Sequence, residues 1–140
     1  MNWKYFGKVH KTLYRLTGGR LGARMGWIDV ALVSVVGRKT GKQRTVPIAC
    51  YPYRDSIAVS ASNSGLESDP AWYLNMQANP EVSVQLGREQ FRAMAEEVPE
   101  EEREALWEKI VEINHHQGEY LQQTTRRIPL VWFRRLDEAD

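Results

Sequence analysis

Between Gly37 and Pro47 the chain reads GRKTGKQRTVP. Arg38, Lys39, Lys42 and Arg44 place four cations within seven residues, and Thr40 adds a hydroxyl donor. Two glycines allow backbone amides to turn toward a ligand. Cations, donors and a permissive backbone together suit a phosphate or a carboxylate. The segment is not a P-loop, because the Walker spacing and the Lys-Ser/Thr pair opening a helix are both missing. A solvated basic hairpin tip would use the same residues, and the sequence leaves both readings open.

Two further segments carry polar groups in useful places. Ser60–Gly65 (SASNSG) puts three serines, an amide and a glycine directly after an apolar run. Such a loop can wrap a polar ring edge or a phosphate, or can be an ordinary connection. In DPAWYLNMQANP, Asn75 lies three residues after Trp72 and so shares a helix face with it. An indole beside an amide could line a flat aromatic ligand, and core packing is the plain alternative. His10, His115 and His116 have no metal-ligand spacing. Cys50 lies in a strand with no base partner in sequence and reads as inert core. Tyr120 follows the long helix in a polar stretch, where a phenol could close a pocket and donate a proton. No Ser-His-Asp arrangement is legible.

These residues need elements to hold them. Trp3, Phe6, Val9, Leu13 and Leu16 recur at helical spacing with lysines and an arginine between them, giving a basic amphipathic helix over 2–16. Residues 17–26, with four glycines, read as a loop. Val30–Val36 is a buried strand by its β-branched run. Arg44–Tyr53 follows as a strand, with Pro47 marking an edge or bulge. Ile57–Ser62 is a third strand. Asp69 is expected as the N-cap of a helix running from Pro70 to Ala78. Val82–Leu86 and Gln90–Glu97 form a hairpin across Gly87-Arg88. Pro99 opens a helix whose first turn holds Glu100, Glu101 and Glu102, matching the dipole, and which ends before Gly118. Leu130–Arg135 is the last strand. Tight antiparallel turns without a βαβ alternation predict an α+β fold. Its sheet is expected to be antiparallel, as an open sheet or a barrel, with N-terminal, short central and C-terminal helices.

The 140 residues make one domain, 1–140, with room for a single core. Five Trp, six Tyr and three Phe among regular aliphatic runs exclude disorder. No apolar stretch is long enough to span a membrane, no secretory signal is legible, and one cysteine points to a reducing cytoplasm. Net charge is only +1, yet the first fifty residues carry ten Lys/Arg and a single acid, Asp29. The rest of the chain carries nine basic and seventeen acidic residues. The front of the chain therefore either faces something anionic or is neutralised by the remainder in the fold. Nucleic acid is not expected, since exposed stacking aromatics are missing beside the cations. Peripheral membrane contact through residues 1–16 fits the basic helix, and packing on the barrel is the alternative. Nothing in the sequence fixes an oligomeric state.

Taken in order, YRLTGGRLG, GRKTGKQRTVP, VSASNSG, DPAWYLNMQANPEVSVQL and RRIPLVWF resemble the deazaflavin-dependent nitroreductase family. These are small proteins that bind coenzyme F420, and the likeness implies an α+β fold built on an antiparallel split β-barrel of about six strands. The likeness runs from about Tyr14 to Phe133. It implies that Arg38, Lys39, Thr40 and Arg44 hold the coenzyme's phosphate and acidic tail, and that the Pro47 strand lies along its ring. By the same resemblance Ala61, Ser62 and Asn63 contact the coenzyme, Trp72 and Asn75 flank it, and Tyr120 lines the substrate side as a candidate proton donor. The implied reaction is hydride transfer to a small-molecule acceptor: a quinone, a nitroaromatic or an activated enone. The family loop often reads Ser-Lys-Gly-Gly, whereas this chain has Ser62-Asn63-Ser64-Gly65, which removes one anion contact. FMN, with one phosphate and no acidic tail, is therefore the alternative cofactor. A non-catalytic small-ligand or lipid-binding barrel is the alternative outside enzymes.

Overall fold

The computed structural model describes residues 24–25 and 28–136. The expected helix over 2–16, with its membrane role, lies outside them. Among the described residues there are seven strands: β1 (Arg24–Met25), β2 (Ile28–Val36), β3 (Gln43–Tyr53), β4 (Ser56–Ser60), β5 (Glu81–Leu86), β6 (Glu89–Glu97) and β7 (Leu130–Arg135). The helices are α1 (Ala71–Ala78), α2 (Glu100–Ile113) and α3 (His115–Gln123), with a 3-10 turn at Asn63–Gly65.

All pairings are antiparallel, in the order β1-β2-β3-β4-β7-β6-β5. A further pairing of β5 with β2 closes the last six strands into a barrel, with Val33 opposite Val84. The predicted fold class is thus observed. Closure removes the open sheet edges that an antiparallel sheet would otherwise expose. β3 pairs with β2 from Gln43 to Cys50 and with β4 from Tyr51 to Tyr53. Pro47 therefore sits where β3 has one partner, which is where a residue without an N–H is tolerated.

The alternation of the strands sorts two cores. Val33, Val35, Ile48, Cys50, Val59, Val84, Val131 and Phe133 fill the barrel, and Tyr73 and Met76 of α1 join them. Tyr51, Ala58, Leu130 and Trp132 face outward and are covered by Leu106 and Ile110 of α2. The strands under α2 are thus buried on both faces. Cys50 is walled in by the barrel core, and burial first, then the Asp29 charge, pushes its thiol up to about 12. A maleimide at pH 8 is therefore expected to label Cys50 only as fast as the protein unfolds. Rapid labelling of native protein would show that the barrel opens there.

Four local expectations are corrected. Arg24 and Met25, read as loop, pair with Asp29 and Ile28 as a short edge strand. The third strand stops at Ser60 instead of Ser62, because the chain turns into the 3-10 segment. At α1 the N-cap is Pro70, not Asp69, and helical geometry starts at Ala71. Asp69 instead accepts from Arg126 at 2.8 Å. Finally, the region around Gly118 is helical. α2 breaks at Asn114, whose side chain accepts the His116 N–H at 3.2 Å and so caps α3. Gly118 then lies inside α3, where a Cβ would come within 3.2 Å of Val111 Cγ1. A glycine read as a helix stop is there for close packing of the two helices.

Candidate functional site

The β2–β3 hairpin is closed by two backbone bonds, Gly37 N–H to Lys42 O at 2.8 Å and Gly41 N–H to Gly37 O at 2.9 Å. Gly41 adopts φ +71°, which explains a glycine at that corner. Thr40 Oγ1 accepts from the Lys42 N–H at 3.2 Å, so this hydroxyl shapes the turn. A Cβ at Gly37 would lie 3.0 Å from Thr40 Oγ1 and 3.5 Å from Arg44 Nε, so the turn folds tightly over its own glycine.

Helix α1 meets this turn. Asn75 is buried, and its Oδ1 accepts both the Arg38 backbone N–H at 3.0 Å and the Arg38 guanidinium at 2.8 Å. Asn79 Nδ2 reaches Val36 O at 3.4 Å. Gly37, Arg38, Lys39, Thr40, Arg44, Ala71 and Asn75 line a cavity of about 240 Å³. The sequence therefore placed Arg38, Lys39, Thr40, Arg44 and Asn75 among the candidates, and the fold brings all five to one cavity. Trp72 is not among its lining residues. It is half-buried against the barrel core, with its ring perpendicular to that of Tyr73.

Electrostatics bear on the four cations of the basic front whose side chains are described, Arg38, Lys39, Lys42 and Arg44. Among the described residues, ion pairs join Arg54 to Glu102, Arg92 to Glu81, Arg103 and Arg127 to Glu100, Arg126 to Asp69, Arg134 to Glu96 and Arg135 to Glu89. Every one is internal to the later, acidic part of the chain. Arg38, Lys39, Lys42 and Arg44 take part in none of them. Three exposed cations, Arg38, Lys39 and Arg44, line the cavity without a carboxylate partner among the described residues, and they fit an anionic group such as a phosphate. Asn75→Asp offers a clean check. The acceptor for Arg38 is kept, so thermal stability should hold within about 1 kcal/mol. The new anion beside the cavity should weaken binding of a phosphorylated ligand at least tenfold in a fluorescence titration.

The loop after β4 is the second polar cluster. Ala61 and Ser62 are buried, and Asn63 and Ser64 carry φ of +49° and +55°. Asn63 Nδ2 donates to Ser68 O at 2.9 Å, so its amide is turned within the loop. Tyr120 is half-buried on α3, with its Cα packed against Gly65. It does not line the turn cavity. Its neighbour Tyr51 has a phenol held above its usual range, chiefly by burial, and Asn114 Nδ2 donates to its oxygen at 3.1 Å. Pro47 is half-buried in β3, opposite Leu32. Arg126 escaped the sequence reading. It sits in TTRRIP, where two adjacent arginines look like surface charge, and only the fold shows one of them turned inward.

Among the described residues, then, a closed antiparallel split barrel carries a cationic hairpin tip against the helix α1. The chain belongs to the F420H(2)-dependent quinone reductase family, whose profile matches residues 6–134. It is 32% identical over 128 residues to an F420H(2)-dependent quinone reductase of Mycobacterium tuberculosis, covering 89% of this chain and 86% of that protein. A solved F420-H2 dependent reductase, FDR-A, shares 37% identity with a TM-score of 0.68, over 74% of this chain and 92% of its own. A relative solved as a domain-swapped dimer shares 32% identity with a TM-score of 0.71, over 90% and 96%. The resemblance drawn from the sequence motifs is therefore met at the level of family and fold.

Proposed function

We propose that this protein binds reduced coenzyme F420 and passes its hydride to a quinone. The observation that carries this reading is the group of three cations, Arg38, Lys39 and Arg44, that line the Gly37–Asn75 cavity with no ion-pair partner among the described residues. F420 presents a phosphate and an acidic tail, and the residue types at the cavity suit both. When bound, the reduced coenzyme supplies the hydride, so the protein needs no nucleophile. That agrees with Cys50 being sealed in the core and kept as a thiol.

The chain's own residues bind and orient. Lys39 and Arg44 offer exposed charge to the anionic end, and Arg38 is held by Asn75 so that its position is fixed before binding. Buried Ala61 and Ser62, with the backbone of Asn63, supply a rigid polar edge. Reduction of a quinone by one hydride also consumes one proton. Tyr120 is the proposed holder of that proton, with Tyr51 kept protonated behind it. The solved domain-swapped relative favours self-association of this chain, and a single cysteine fits a reducing cytoplasm.

The test is a paired titration of the protein with F420 and with FMN, followed by mixing with reduced F420 and a soluble quinone. Tight, stoichiometric binding of F420 and quinone-dependent return of coenzyme fluorescence are expected. Preferential capture of FMN, or F420 binding without turnover on any quinone, would overturn the reading.

A further inference from the structure

Arg126 follows α3 in the strap leading to β7, and its side chain is only 14% exposed. Its Nε donates to Leu66 O at 2.9 Å and its NH1 to Asp69 Oδ1 at 2.8 Å. Its NH2 donates to both Ala61 O and Ser62 O at 2.9 Å. One guanidinium thus joins the beginning of the 61–69 loop to its end. The strap adds a second brace, since Glu67 accepts from Thr125 N–H at 3.1 Å and from Thr125 Oγ1 at 3.2 Å.

Two consequences follow from peptide geometry. The described peptides are all trans, so each N–H points opposite to the C=O of its own peptide plane. With the carbonyls of Ala61 and Ser62 drawn to Arg126, the N–H groups of Ser62 and Asn63 face away from it, side by side. Moreover, Asp69 leads directly into α1, whose Ala71 and Asn75 line the cationic cavity. Fixing Asp69 against Ala61 and Ser62 fixes the distance between the loop's donors and that cavity. The loop needs such a staple, because Asn63 and Ser64 hold left-handed backbone without being glycine.

We propose that Arg126 is a positioning residue for the coenzyme: it holds the 61–69 loop in place and presents the Ser62 and Asn63 N–H groups as a fixed donor pair to an oxygen of the bound cofactor. This rests on the reading that the loop contacts F420. Lysine cannot substitute fully, because its three donors radiate from one point whereas the four acceptors surround a planar fork.

The experiment compares wild type, Arg126→Lys and Arg126→Gln by amide hydrogen exchange of the 61–66 peptide, F420 titration and steady-state kinetics, all well below the unfolding temperature. In wild type, F420 should slow exchange of 61–66. In Arg126→Gln, exchange without coenzyme should rise at least tenfold, with the F420 Kd and KM raised at least tenfold and kcat at saturating F420 within threefold. Arg126→Lys should fall between the two, and it serves as the informative variant if Arg126→Gln does not fold. A wild-type F420 Kd in a substituted protein whose loop exchange has risen would overturn the proposal alone. So would unchanged exchange in both variants. If F420 leaves 61–66 exchange unchanged in wild type while still binding tightly, the loop-contact reading falls and the proposal with it.

Discussion

Replacing both Lys39 and Arg44 with alanine is expected to weaken F420 binding by at least one order of magnitude, the largest functional loss foreseen for any surface change. Each charge-assisted contact contributes about 1.5–3 kcal/mol, and the pair acts on one anionic group. The fold should tolerate the change. Both side chains are exposed, and among the described residues neither forms an ion pair whose partner would be stranded. Thermal unfolding should therefore move by less than about 1 kcal/mol. Raising salt should mimic the substitution in wild type and have little effect in the double variant, since exposed charges are screened. Equal F420 titration curves for the two proteins would remove the hairpin tip from the site.

Gly65→Ala is expected to give the largest loss of stability from a single methyl group. Gly65 has φ +80°, where an L side chain is strained. The added Cβ would overlap Gln123 Oε1 and lie 3.2 Å from the Tyr120 Cα. The glutamine can swing away, but the helix backbone cannot move without dragging α3. Strain of about 1–3 kcal/mol adds to overpacking of about 1–3 kcal/mol. The unfolding midpoint should drop by on the order of 10 °C. Tyr120 and the 61–69 loop would move together, so turnover should fall along with stability. A variant that melts with wild type would mean that α3 yields freely at this contact.

The expected strands were legible because each shows its own period. Val30–Val36 and Leu130–Arg135 carry β-branched and aromatic runs bounded by turns, and both were found as strands. α3 was not legible, because HHQGEYLQQ has little apolar character and a central glycine. It is helical because Asn114 caps it, Gln117 bonds Ser60 at 3.0 Å and Gly118 admits Val111. The cap is local, but the Gln117–Ser60 bond crosses the fold, and the Gly118–Val111 contact needs α2 packed against α3. The cationic turn could be seen as a cluster of charges, but whether those charges were spent could not.

The sequence by itself determined the barrel's strands, the glycine-hinged cationic bend and the family to which the chain belongs, since these depend on local periodicity, turn chemistry and residue order. Only the tertiary structure decided that the later acids pair with later arginines, and that among the described residues the hairpin cations have no ion-pair partner, with Arg38 held by the neutral Asn75. It alone turned Arg126 inward onto the loop. The reason is physical: charge pairing and hydrogen-bond satisfaction depend on distances between residues tens of positions apart, and chain closure into a barrel sets those distances.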